Sequence, residues 1–248
     1  MQPGKTPYHY CSNNPVSRTD PTGMIDGDFI NSQGQNIGND GKNDGKVYVV
    51  KTTQQKVDSG APMAGISQDQ QNKTVDFIQN NSGNSAAFEG NSMAYDNSVE
   101  IAGSCETRES MVNIVNQDTG SGGNSVSNPM NAQEYGGAVQ SNGSVRESTE
   151  RNKPFSINSM ANNDSNTVSN FHSHPSALLV IDGGAGMVQG IGGPSSGGKG
   201  QGGDINPDRN SQTNYMFERA TGKVYIYNTT GGVQAIIPQS NFVNLPKK

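Results

Sequence analysis

The chain has 248 residues, of which 30% are hydrophobic, with 32 glycines and a formal charge of -5. A chain this polar cannot bury apolar surface along its whole length, so one modest core in the C-terminal part is expected rather than two full domains. The acidic balance, with no Lys/Arg cluster, argues against a nucleic-acid binder.

Residues 1–23 are rich in proline, asparagine and glycine and close on the turn signal Asp20-Pro21-Thr22-Gly23. Residues 24–92 read as a polar, poorly ordered linker. Asn39-Asp40-Gly41-Lys42 and Asn43-Asp44-Gly45-Lys46 signal tight turns, and they lack the acidic spacing and closing glutamate of an EF-hand loop. A strand is expected over 46–51, rich in β-branched and aromatic residues, and a short helix over 70–79.

The main domain is expected over 93–248. A helix over 106–116 would be capped by Thr107 and carry Met111, Val112, Ile114 and Val115 on its apolar face. A Gly/Ser-rich loop covers 119–128. A strand over 134–139 pairs with one over 143–147 through Asn142-Gly143, a hairpin signal. Strand 167–174 follows, then a glycine-rich loop over 183–203 with no regular pattern. A hairpin over 215–220 and 223–228 turns at Thr221-Gly222, and 233–238 is the last strand. The fold class is α/β, a mixed β-sheet with flanking helices. Cys11 and Cys105 are far apart and form neither a disulfide framework nor a CxxC site. No run is long and apolar enough to span a membrane, and no signal peptide is visible at the start.

Two of the three histidines stand in Asn170-Phe171-His172-Ser173-His174-Pro175. In a strand, residues i and i+2 share a face, so both imidazoles can reach one metal ion. With Asp204 downstream and Glu134 upstream they make a catalytic zinc set: three protein ligands, an open position for water, and a carboxylate to move its protons. Glu134 is the expected general base and acid. Gly136 and Gly137 are expected to let a substrate strand approach the backbone. The chain has no HExxH, no PCxxC and no phosphate loop ending in GK[ST].

The His-Ser-His-Pro run, with a later serine and aspartate and the preceding Glu134-Tyr135-Gly136-Gly137, resembles the JAMM (MPN+/JAB) metalloprotease signature. Together with the stretch from Thr107 to Asp118, it is similar to the JAB-like toxin domains at the C-termini of bacterial RHS proteins. Asn14-Pro15 and Asp20-Pro21-Thr22-Gly23 resemble the NPxxxxDPxG end of an RHS core. The resemblance implies a JAB/MPN, cytidine-deaminase-like architecture, zinc, and Ser195, with Ser196 equal on spacing, as oxyanion donor. It also implies a protein or peptide substrate such as a ubiquitin-like conjugate, a cognate immunity protein, and delivery within a larger bacterial protein. The chain departs from the family after Pro175. Strict spacing would put serine and aspartate at positions held by Asp182 and Ala185. Asp204, behind an insert from Ser196 to Gly203, is the preferred ligand, with Asp182 and Asp208 as alternatives. The insert also supports another reading, a non-catalytic JAB-fold binding module, while the polar, Asn/Gly/Ser-rich composition supports a third, an exported interaction tail.

Overall fold

A computed structural model describes residues 28–42, 44–54, 60–102, 104–150, 157, 159–160, 163–180, 187–189, 192–196, 203–205 and 212–243. The RHS-like segment 1–23, Asp182 and Asp208 lie outside the described residues.

The described part of 24–92 is ordered, contrary to the expectation of a loose segment. Strands β1 (Asp28–Ile30), β2 (Asn36–Asn39), β3 (Val47–Val50) and β4 (Ser98–Ile101) form a mixed sheet in the order β2-β1-β3-β4, with β1 and β3 parallel. Three helices cover one face: α1 (Gln68–Asn80), α2 (Ser85–Glu89) and α3 (Met93–Asp96). A Ser67–Gln70 capping box starts α1, satisfying two backbone donors that the first turn would otherwise leave open. Alternation in β3 sends Tyr48 and Val50 toward these helices, where they meet Phe29, Ile78, Phe88 and Ala94.

Val47 and Val49 point the other way, into a second core. Its far wall is a six-stranded mixed sheet in the order β12-β11-β10-β7-β5-β6. These are β5 (Gly136–Gln140), β6 (Val145–Glu147), β7 (Thr167–His174), β10 (Thr213–Glu218), β11 (Lys223–Asn228) and β12 (Gly232–Pro238). β7 and β10 are parallel, and the other pairs are antiparallel. One face presents Val139, Phe171, Tyr215, Phe217, Val224, Ile226, Ala235 and Ile237 to α4 (Cys105–Val115) and α5 (Gln239–Val243). Ser104 caps α4, while the Thr107 hydroxyl instead donates to the Gly143 carbonyl. The opposite face carries Met216, Tyr225, Tyr227 and Val233 under Ala61 and Ile205.

The 183–203 stretch is not wholly irregular. Strand β9 (Met187–Gln189) lies within it and pairs with β8 (Leu178–Val180). Among the described residues, no helix is long and apolar enough to cross a membrane. The class is mixed α/β, as expected.

Candidate metal site

β7 lies between β10 and β5, and its alternation separates two jobs. Phe171 faces the apolar core. His172 and His174 face the other side, their ring centroids 5.3 Å apart. The register Gly136–His172–Met216 and Glu218–His174 fixes both histidines in the ladder. Gly136 is required there: a Cβ on it would lie 2.2 Å from the Phe171 carbonyl oxygen and 2.7 Å from the His172 Cα. A Cβ on Gly137 would lie 2.0 Å from the Arg146 carbonyl oxygen. Within the chain, the close neighbours of these glycines are β7 and β6 of their own sheet.

Ser173, between the histidines, bonds to the segment before β5. The Tyr135 N–H donates to its hydroxyl at 2.9 Å, and its own N–H donates to the Tyr135 carbonyl at 2.7 Å. This pins the backbone next to Glu134. The half-buried Glu134 carboxyl is pushed up to about 7 by burial, and the Asp204 charge adds to the rise. His172 and a backbone hydrogen bond at Ile157 oppose it. Glu134 thus shares the electrostatic field of His172 and Asp204.

Asp204 completes the set. Its Oδ1 is 3.3 Å from His172 Nε2 and its Oδ2 is 3.9 Å from His174 Nε2. One ligand atom from each of the three residues falls within 4.8 Å of the others. Tetrahedral zinc with bonds near 2.0–2.1 Å separates its ligand atoms by roughly 3.3 Å, a spacing that the His172–Asp204 pair already has and to which the wider separations, up to 4.8 Å, would have to close. The donor set of two imidazoles and a carboxylate fits a divalent metal, and this group could hold one. Burial, helped by the His172 charge, lowers the His174 pKa to about 4, which leaves the ring neutral and free to coordinate at neutral pH. Burial alone would raise the Asp204 pKa. The His172 charge and hydrogen bond, His174 and the Ser195 N–H override it and hold the carboxyl below its usual range.

Ser195 is exposed, and it is bound to Asp204. Its hydroxyl and its N–H donate to Asp204 Oδ2 at 2.8 and 2.7 Å, and the Asp204 N–H returns to its Oγ at 3.1 Å. Ser196 is exposed and bridges Ile205 instead. The structure therefore brings together His172, His174, Asp204, Glu134 and Ser195.

Three residues that the sequence did not single out support this arrangement. The buried Asp118 carboxylate accepts from the Ser176 N–H, the Ser176 hydroxyl and the Gly120 N–H, which fixes the turn after Pro175. Arg219 donates through Nε and Nη2 to the Asp118 carbonyl, and its own N–H bonds the His174 carbonyl. Glu218 lies beside His174 in the ladder. Asp118 and Glu218 are buried and Arg219 partly so; in the sequence the available signal was only a charged residue just after a helix or at the end of an apolar strand. No protein-family model, curated protein or solved structure matches the chain.

Proposed function

We propose that this chain is a zinc-dependent peptidase or isopeptidase of the JAMM type, built on a JAB/MPN variant of the α/β class. The observation that carries the proposal is the convergence of His172, His174 and Asp204 within 4.8 Å, on the sheet face that Glu134 also addresses. Zinc held by these three side chains would supply Lewis-acid activation of a water and of the scissile carbonyl.

The rest is done by the chain. Its two imidazoles, His172 buried and His174 partly buried, and the anionic Asp204 offer the ion two nitrogen donors and one carboxylate. Glu134, poised near neutral pH, takes a proton from the attacking water and hands it to the leaving amine. The Ser195 hydroxyl is committed to Asp204 in this structure, so stabilising a developing oxyanion would require it to turn. That commitment, with the insert before Asp204, supports the second reading, a JAB-fold binding module without turnover. The RHS resemblance supports a toxin effector that cleaves a protein or ubiquitin-like conjugate and is matched by an immunity protein.

The test is elemental analysis of zinc in the intact chain, with hydrolysis of isopeptide-linked ubiquitin conjugates measured beside it. The expected outcome is about one zinc per chain, lost in His174→Ala, and cleavage that disappears in Glu134→Gln while zinc remains. Zinc without cleavage of any conjugate would favour the binding module, and a folded chain without zinc would overturn both metal-dependent steps.

A further inference from the structure

Asp204 lies far along the chain from His174, in its most glycine-rich stretch, yet it reaches the histidines. Two of the described pieces of that stretch, 192–196 and 203–205, hold each other. The N–H groups of Asp204 and Ile205 both donate to the Ser195 carbonyl at 3.0 Å, and Ser195 bonds the Asp204 carboxylate. Besides the Asp204–histidine pairs, further contacts tie this unit to the sheet. Ile205 is buried with Met216 and Tyr225. The Gly192 N–H donates to the Glu218 carboxylate at 2.6 Å.

Glu218 is 1% exposed. Its Oε1 takes the Gly192 N–H, while its Oε2 takes the Thr221 hydroxyl and, at 3.4 Å, the Tyr225 hydroxyl. Burying a carboxylate is costly, and a packed apolar side chain would hold the end of β10 with less penalty. What an apolar side chain could not do is grip a backbone N–H of a glycine loop. Gly192 and Gly193 have φ of 111° and 83°, values that side chains disfavour, so the chain turns here in a way that presents Gly192 N–H to Glu218.

We infer that Glu218 is the positioning residue of the metal site: it anchors Gly192, and through Ser195 it delivers Asp204 to His172 and His174. The chain of contacts runs Glu218–Gly192, then along the backbone to Ser195, then to Asp204. It brings the loop-borne ligand to the same strand end as His174, the ladder partner of Glu218. For its metal readout the inference rests on the zinc-site reading. Its second readout does not.

The experiment compares the intact wild-type chain with Glu218→Ala, Glu218→Gln and Gly192→Ala, and with Asp204→Ala as the spectral reference. Cobalt(II) titration by visible absorption reads the metal site. Amide hydrogen exchange of metal-free protein reads protection at Ser195 and Asp204. Glu218→Ala should weaken cobalt affinity by roughly 10–100-fold, as loss of an outer partner of a ligand does, and shift the spectrum toward that of Asp204→Ala. Protection at both amides should fall. Glu218→Gln keeps an acceptor for Gly192 and should recover most of the affinity and protection. If Glu218→Ala does not fold, Gly192→Ala, which leaves the sheet untouched, should show the same losses. Normal protection and normal cobalt binding in the folded Glu218→Ala or Gly192→Ala variant would overturn the inference. A wild type that binds no cobalt, yet loses Ser195 and Asp204 protection in the variants, would overturn the zinc reading and leave the anchor standing.

Discussion

The two halves of the site are built by different physics. His172 and His174 stand on β7, an inner strand paired on both sides by β5 and β10, with Phe171 buried beneath them. Their placement is inherited from a full backbone ladder and an apolar core. Asp204 stands on a segment whose described part is three residues, held by Ser195, Glu218 and one buried Ile205. A few polar bonds do there what a whole sheet does for the histidines. Damage to the strand half should therefore cost stability, and damage to the loop half should cost metal binding.

The sharpest way to break the strand half is Phe171→Ala. Phe171 is fully buried and packs edge-on against Phe217, ring centroids 6.4 Å apart. Truncation leaves a cavity under the histidines, and the expected loss of stability is about 3–5 kcal/mol, read from denaturant unfolding of metal-free protein. Asp204→Ala is the counterpart in the loop half. It should lower metal affinity by more than the roughly 100-fold expected for an outer partner, with a shift of the metal-free unfolding midpoint smaller than that of Phe171→Ala and arising from the lost pairing with His172 and Ser195. Equal stability losses in the two variants would erase the distinction.

Glu134 sits between the halves, tied to β7 through Ser173 and coupled electrostatically to Asp204. Its folded pKa, about 7, lies above the ordinary 4.5. Below pH 4.5 both folded and unfolded states carry the proton, and no stability is lost. As pH rises toward 7 the unfolded state ionises first, so metal-free stability falls, by up to about 3 kcal/mol at 1.36 kcal/mol per pKa unit. Glu134→Gln removes that loss. The variant should match wild type near pH 4 and exceed it above pH 7, measured by unfolding in the presence of a chelator. A constant difference across that range would mean that Glu134 titrates normally. Such a carboxylate is costly to the fold, the trade expected if Glu134 is the proton carrier proposed above.

What the sequence made legible follows the same division. The His-x-His pair, β7, the β10–β11 hairpin and helix α4 could be read because period-2 and period-3.6 patterns are local. Asp204 could be named, but not what holds it. Glu218 and Gly192 meet across 26 residues, and nothing in either neighbourhood announces the partner. The small sheet was hidden by averaging. Its core needs only Phe29, Tyr48, Val50, Ile66, Ile78, Phe88 and Ala94, with Phe29 stacked on Tyr48 at 4.9 Å and on Phe88 at 5.5 Å, spread through a stretch of Gln, Asn and Ser. Thr107 was the wrong cap for a similar reason. The helix starts at Cys105, so the cap falls on Ser104, which accepts from the Thr107 N–H, and the Thr107 hydroxyl goes to the distant Gly143 carbonyl.

The finest test of the comparison lies in the adjacent serines. Ser195 gives Asp204 two donors, one from its hydroxyl and one from its N–H. Ser195→Ala removes only the first, so the carboxylate stays held by the backbone and the loop stays tied to Glu218. Metal affinity should fall about tenfold, the low end for an outer partner, which is about 1.4 kcal/mol. Ser196→Ala should change nothing, because Ser196 meets Ile205 by a backbone bridge and not through its hydroxyl. If turnover falls in Ser195→Ala by far more than metal affinity does, the hydroxyl must leave Asp204 during the reaction and serve the substrate. If the two fall together, Ser195 acts only through the ligand it holds, and the loop half of the site is a device for placing one carboxylate.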